Sequence, residues 1–347
     1  MTIQHLYDLT LPEMTDWFAS LKELPYRAKQ VFEWLYKKRV MTVNDMTNLS
    51  KSLRKELFEA TSIQTSHQVL KQVSRDGTVK FLVGWPDKVT VETVLMEHEY
   101  GHSACVSTQV GCKMGCTFCA SSLGGMIRQM KAGEMVEQLL YSQRALDEQG
   151  GRVSSVVLMG SGEPMDNYNQ VMRFIDIIRD PNGLGIGQRH ITISTVGLVP
   201  GIIRLADEGR PITLAVSLHA ANDALRSSMM PVNKAYPIAK LMEACHYYHN
   251  QTGKRISFEY ALVGGKNDRL EDAHELAALL RDLPCHVNLI PVNYVPERGY
   301  TRTSKDQIDA FVKELQSLGV NATIRREKGH DIDAACGQLR AKHEGRV

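Results

Sequence analysis

From about residue 103 onward the chain alternates stretches of strand character with stretches of helix character, and this alternation constrains the fold more than any other feature. Candidate strands run Ala104 to Gln109, Val153 to Met159, His190 to Thr195, Ile212 to Leu218, Ile256 to Val263 and His286 to Val292. Between them lie Met135 to Gln149, Val171 to Arg179, Ile238 to Asn250 and Ala273 to Leu283, with apolar residues at helical spacing. A last helix, Lys305 to Leu318, precedes Ala322 to Arg325. Repeated strand–helix units imply a parallel sheet, because parallel neighbours need a crossover long enough for a helix. About six units are too few for a closed eight-stranded barrel. The expected core is therefore α/β, a partial barrel of six strand–helix units, with its site at the carboxyl ends of the strands.

The rest of the chain reads differently. Residues 1–65 read as helical: Leu24-Pro25 is a helix start, and Val31, Phe32, Leu35 and Tyr36 follow at helical spacing. Residues 66–102 read as a β-rich linker, in which Val79 to Val83 and Val89 to Val94 flank the turn-like Gly84-Trp85-Pro86-Asp87. Three parts are expected: a helical N-terminal part (1–65), a small joining sheet (66–102) and the barrel with its C-terminal segment (103–347). The 41 Lys+Arg against 39 Asp+Glu leave a net charge of +2, which excludes a protein working by bulk positive charge. Locally the balance shifts: Lys22 to Lys55 holds nine basic residues and three acids. That stretch is either a solvated helix surface or a contact for RNA phosphates. No apolar run approaches the roughly 20 residues of a membrane span, and the first ten residues lack a signal pattern, so a cytoplasmic protein is expected.

Seven cysteines are present, and Cys105, Cys112, Cys116 and Cys119 crowd into fifteen residues. In a reducing compartment such crowding points to a metal site or thiol chemistry more than to a disulfide scaffold. The last three have the spacing C-x3-C-x2-C directly after a predicted strand. Three thiolates on one short loop suit three corners of an iron–sulfur cubane and leave the fourth iron open, since clusters usually take four cysteines. A zinc knuckle would want a fourth ligand at suitable spacing, and none is evident nearby.

This loop, with Phe118 before the third cysteine, resembles the signature of the radical S-adenosylmethionine superfamily. Met159-Gly160-Ser161-Gly162-Glu163-Pro164 after the second barrel strand resembles that superfamily's loop for the cofactor's amino group, with Ser161 where Met is common. A narrower resemblance covers most of the chain. Asp331 to Leu339, Ser194-Thr195, Ser217-Leu218-His219, Asn288 to Asn293, and Cys105 seven residues before Cys112 are similar to the radical-type adenine methyltransferases acting on ribosomal RNA. That resemblance implies methylation of adenine C2 in the peptidyl-transferase region of 23S rRNA, at nucleotide 2503, and of adenine 37 in some tRNAs.

Adenine C2 is not a nucleophile, so direct transfer from a methyl sulfonium is unfavourable. The resemblance implies an indirect route using one [4Fe–4S] cluster held by Cys112, Cys116 and Cys119 and two S-adenosylmethionine molecules per turnover. Cys336 takes a methyl group as a thiolate nucleophile, and the methyl carbon is then activated by the radical and joined to C2. Glu92 accepts the C2 proton, and Cys105 releases the RNA by pairing with Cys336 as a transient disulfide. Position matching gives Gly162, Glu163, Ser194, Ser217, Leu218, His219 and Asn293 as cofactor contacts. For Glu92 the ordinary alternative is a surface strand carboxylate, for His219 a satisfied interior histidine, and for Asn293 a turn residue. The resemblance further implies a flavodoxin-like electron donor, RNA rather than DNA or membrane as partner, and a monomer.

Methylation at adenine C8, as in antibiotic-resistance relatives, is the competing reading, and a non-catalytic RNA-binding factor with a structural cluster is a more distant one. Cys245 and Cys285 belong to no motif and are expected to pack. His98-Glu99-Tyr100-Gly101-His102 matches H-E-x-x-H, but Gly101 and flanking strand character argue against the helix that a zinc site needs. Arg325, Arg326, Lys328, Arg340 and Lys342 either meet RNA phosphates or form a solvated tail.

Overall fold

The strand–helix alternation is realised as a sheet whose parallel strands lie side by side in sequence order. The computed structural model describes residues 3–292, 299–329, 331–332 and 339. The N-terminal part holds strand β1 (Gln4–His5), helices α1 (Leu11–Ser20), α2 (Pro25–Tyr36) and α3 (Lys51–Ala60), and strand β2 (Thr61–Ser62), which pairs with β1. Helix α1 is started by a capping box: Thr10 accepts from the Glu13 N–H, and the Thr10 N–H donates to the Glu13 carboxylate at 2.9 Å. Helix α2 begins at Pro25, whose missing N–H costs nothing there.

Strands β3 (His67–Val73), β4 (Val79–Gly84), β5 (Thr90–His98) and β6 (Gly101–Cys105) then form an antiparallel meander. They do not make a separate joining sheet. Strand β6 pairs in parallel with β9, so the meander extends the barrel sheet itself. His98 and His102 fall on either side of the β5–β6 turn, which removes the helix a zinc motif needs. The strand expected over Ala104 to Gln109 also divides. It ends at Cys105, and the chain re-forms as β7 (Gln109–Gly111), paired with β8 (Met126–Gln129). The backbone between is bonded elsewhere: Thr108 and Gln109 N–H both donate to Ser161 O, at 2.8 and 3.1 Å.

Helix α4 (Ala132–Asp147) leads into β9 (Val153–Leu158), α5 (Tyr168–Ile178), β10 (Ile191–Thr195), α6 (Val199–Asp207), β11 (Thr213–Ser217), α7 (Asp223–Met229) and α8 (Ile238–Thr252). Then come β12 (Ile256–Leu262), α9 (Leu270–Leu280), β13 (Cys285–Pro291), α10 (Lys305–Ser317) and β14 (Ala322–Ile324). Helices α6 and α7 are additions to the sequence reading. Pro200 reads as a breaker there, yet it occupies the first turn of α6, where proline is tolerated. Among the described residues the strand order is β14-β13-β12-β11-β10-β9-β6-β5-β4-β3, an open partial barrel with six strand–helix units beginning at β6, β9, β10, β11, β12 and β13.

The two faces of this sheet differ in chemistry. Ile191, Ile193, Leu214, Val216, Ile256, Phe258 and Leu289 are fully buried in the core beneath the helices. Register places the alternate residues together on the lumen face: Cys105 beside Val94 and Val157, Ser194 beside Ala215, Ser217 beside Glu259, and Glu259 beside Asn288. Two attachments hold the outlying parts. Asp8 accepts from the Gly133 N–H at 2.7 Å, and Glu137 accepts from the Ser66 N–H at 2.7 Å, seating the N-terminal part on α4. Beyond β14, the Gly329 N–H donates to Asp76 at 3.0 Å, while Asp331 accepts from the Ser74 hydroxyl and, at 3.1 Å, from the Arg75 N–H. The chain thereby passes from the β14 edge to the β3–β4 turn.

Candidate active site

Loops at the carboxyl ends of the strands form the mouth of the barrel. Cys112, Cys116 and Cys119 lie on the loop between β7 and β8; Cys112 and Cys116 are buried and Cys119 is half-buried. The loop closes on itself through Cys119 N–H to Cys116 O at 3.2 Å and the Ser122 hydroxyl to both carbonyls at 2.9 Å. It is also bolted to α7, since the Thr117 N–H donates to Met229 O at 2.9 Å. Burial pushes the Cys112 thiol up to about 11, and burial followed by the neighbouring Cys119 and Cys112 pushes Cys116 higher still. Thiolates in such surroundings call for a strongly positive partner, which iron supplies. Among the described residues no three His, Cys, Asp or Glu side chains converge as on a single ion. A cubane asks for no such convergence, because each thiolate meets a different iron.

The Gly160 to Pro164 loop after β9 is zipped to this loop. The Ser107 hydroxyl donates to Glu92 O at 2.7 Å and accepts from the Ser161 N–H at 2.9 Å. The Glu163 N–H donates to the Gln109 side chain at 2.8 Å, and Lys113 pairs with Asp166 at 2.8 Å. Gly162 has φ +104°, and a Cβ there would stand 2.6 Å from Gln109 Cβ, so only glycine fits. The Glu163 carboxylate accepts from the Val196 N–H at 2.8 Å and the Met165 N–H at 3.0 Å. Burial outweighs these donors and pushes it up to about 7. An ammonium group beside it would draw it back to the ionised form. The Ser161 hydroxyl is buried with no hydrogen-bond partner among the described residues, as a loop built for a polar ligand would leave it. The donor set thus fits both a cluster and an amino-acid-bearing cofactor.

The other expected residues fall around the same mouth. Ser194 and Ser217 are half-buried near the ends of β10 and β11, facing the lumen. Leu218 turns its side chain into the core, and its N–H donates to Glu259 O at 3.0 Å. His219 is buried with φ +59°, a left-handed conformation that is unfavourable for a side-chain-bearing residue. Its Nδ1 accepts from the Ala261 N–H at 2.9 Å, which leaves Nε2 as the protonated nitrogen. Burial, reinforced by Arg226, pushes its pKa down to about 3, so the ring is neutral at working pH. Phe118 meets the ring edge-on at 4.7 Å between centroids.

Glu92 is not a surface carboxylate. It is buried and pairs with the fully buried Lys80 at 3.0 Å. Register puts Lys80, Val94 and Cys105 side by side, with Glu92 two residues along the same face. Cys336 and Asn293 lie outside the described residues. Cys245 is fully buried in α8 and Cys285 packs against the main core. Sequence reasoning missed Lys80 and Arg226. Lys80 was detectable, as a lone cation inside the apolar run Val79 to Val83 on the strand paired with that of Glu92.

Two family models match: the ribosomal RNA large subunit methyltransferase N-terminal domain over residues 4–63, and the radical SAM superfamily over residues 106–280. A probable dual-specificity RNA methyltransferase RlmN of Staphylococcus saprophyticus is 58% identical, with 98% of this chain and 93% of that protein covered. The chain belongs to the RlmN family. The RlmN of Bacillus subtilis is likewise 58% identical, over 97% of this chain and 93% of its own length. A crystal structure of a radical SAM methyltransferase from Sphaerobacter thermophilus superposes with a TM-score of 0.94 at 45% identity, covering 96% of this chain and 98% of that one. As an RlmN family member the chain is a radical SAM methyltransferase with a [4Fe–4S] cluster and S-adenosylmethionine as its cofactors.

Proposed function

We propose that this chain methylates C2 of adenine 2503 in 23S rRNA and of adenine 37 in tRNAs, through a methylated Cys336 and a transient protein–RNA adduct. The dual specificity in the names of its relatives supports two RNA classes. The observation that supports the reading is the lumen arrangement: the buried Glu92 and Cys105 share one face of adjacent strands, the face that also carries Ser194 and Ser217. A methyltransferase working by direct displacement needs neither an interior thiol nor an interior carboxylate there.

When bound, the cluster and cofactor supply a methyl group and hydrogen-atom abstraction. The chain's own residues do the rest. Cys112, Cys116 and Cys119 hold the cluster. Gly162 and Glu163 receive the cofactor's amino end, while Ser194, Ser217, the Leu218 segment, His219 and Asn293 hold the remainder. His219, neutral and protonated on Nε2, serves as a fixed donor. The target base must leave its stack, because C2 is inaccessible within it. Cys336 carries the carbon to C2, and Glu92 takes the C2 proton. Once the adduct's unpaired electron has passed to an acceptor, which the bound cluster would supply, Cys105 attacks the Cys336 sulfur; the S–S bond forms as the carbon–sulfur bond breaks, and that electron pair stays with the carbon, which takes up a proton to become the new methyl group. The basic helices of residues 1–65 hold RNA, and residues 66–102 join them to the radical core.

This protein acts in the cytoplasm as a monomer with a flavodoxin-like donor. Among the described residues no helix is long and apolar enough to cross a membrane. Anaerobic reconstitution with iron and sulfide, followed by nucleoside mass spectrometry of both RNAs, tests the reading. The expected product is 2-methyladenosine in each; 8-methyladenosine alone overturns it.

A further inference from the structure

Arg226, on α7, is fully buried, yet its bonds run to neutral groups. Its guanidinium donates to Val196 O at 2.7 Å, Leu218 O at 3.1 Å, Ser217 O at 3.3 Å and the Asn233 side chain at 2.8 Å. Val196, the first residue after β10, holds Glu163 through its own N–H, and Ser217 and Leu218 lead into His219. One side chain therefore ties the ends of β10 and β11 together beneath the mouth. The same helix seats the cysteine loop: Thr117 bonds to Met229 O, and Cys116 packs against Met229 and Met230. Burial lowers the guanidinium only to about 10, with the Cys116 sulfur and the Asp223 carboxylate pulling it back up, so it stays a cation.

A buried cation is costly unless something compensates it. Carbonyl dipoles compensate in part. Asp223, which accepts from Asn233 at 2.8 Å, supplies one negative charge, and iron-bound thiolates on the loop that α7 seats would add more. A fixed positive charge in low dielectric favours whichever neighbouring state is more negative. For a cluster accepting one electron from an external one-electron reductant, that is the reduced state.

We propose that Arg226 is a positioning residue for the radical site, a permanent positive charge on the helix that seats the cysteine loop, which stabilises the reduced cluster and couples that loop to the cofactor loops. The proposal rests on the cluster assignment and not on the RNA substrate. Iron content of the reconstituted wild-type protein checks that assignment separately.

The test compares reconstituted full-length Arg226→Gln and Arg226→Lys with wild type. Midpoint potentials are read by spectroscopy-monitored titration with dithionite, and S-adenosylmethionine affinity by equilibrium binding. Arg226→Gln should lower the midpoint, because charge is lost. Arg226→Lys should keep the midpoint near wild type but weaken cofactor binding by roughly tenfold, because the fork that grips three carbonyls is lost. A wild-type midpoint in Arg226→Gln at full iron content overturns the electrostatic role. Wild-type cofactor affinity in both variants overturns the coupling. Should Arg226→Gln take up no iron, Arg226→Lys decides: a lowered midpoint overturns the proposal, as does failure of both variants to fold, which would mark a purely structural arginine.

Discussion

The two faces of the barrel sheet come from the same strands, yet they do opposite work. On the helix side, Ile193, Val216, Phe258 and Leu289 are fully buried hydrocarbon. On the lumen side, one residue away along each strand, stand Ser194, Ser217, Glu259 and Asn288, with Asn288 donating to Glu259 at 2.9 Å. Strand periodicity makes this division possible, because neighbouring residues point to opposite faces. The chemistry is concentrated on the lumen face, while the helix face contributes stability alone, so substitutions one residue apart should have unlike effects on turnover.

The sharpest contrast is expected at the mouth. Cys116→Ala should abolish iron uptake and turnover, while the iron-free protein unfolds within about 2 kcal/mol of wild type, since Cys116 lies outside the main core. Iron analysis and urea unfolding read the two effects. Next comes the buried pair in the lumen. Glu92→Gln removes the negative charge opposite the buried Lys80 ammonium, so a stability loss of about 3–5 kcal/mol should accompany a fall in turnover of roughly 10²–10³. The double variant Lys80→Met, Glu92→Gln should regain much of the stability and none of the turnover. If turnover returns with stability, Glu92 is only structural.

A milder, pH-dependent effect belongs to Glu163. Its carboxyl ionises near 7 instead of near 4.5 because it is buried. The folded state therefore keeps a proton that the unfolded chain releases, and cofactor-free stability falls as pH rises from about 4.5 to about 7, then levels off. Binding of an ammonium-bearing cofactor follows the opposite sign. It should weaken about tenfold per pH unit below about 7 and become level above it, and Glu163→Gln should flatten the profile. The smallest effect on chemistry is expected from the helix face. Phe258→Ala should cost about 3–5 kcal/mol, with turnover per folded, iron-loaded molecule within about twofold of wild type. A large loss of that specific turnover would show that the two faces are not separable.

Much of this was legible in the chain before folding. Periodicity located the six strands and the helices of every unit but that of β10, and the C-x3-C-x2-C spacing identified the cluster loop because the motif is local. Long-range pairing was harder to read. For Glu92 the resemblance's proton acceptor and a surface strand carboxylate both stayed open until the fold buried it against Lys80 of the neighbouring strand, two strands from the cofactor loop after β9. Arg226 had no signal at all: an arginine on a short polar helix looks solvated, and only the fold turns it inward onto three carbonyls. The ending of β6 at Cys105 was hidden for a similar reason. Its cause lies far off in the chain: Gln138 captures the Ser107 N–H, and Ser161 O captures those of Thr108 and Gln109.

The passage from the β14 edge to the β3–β4 turn gives the barrel a buckle. A closed barrel fixes its girth through a continuous ladder. This hoop is joined instead by the bonds that Ser74, Arg75 and Asp76 make with Gly329 and Asp331, at about 1 kcal/mol each. Undoing a buckle of that strength breaks three hydrogen bonds and unpairs no strand, so the ribs of the hoop do not depend on its clasp.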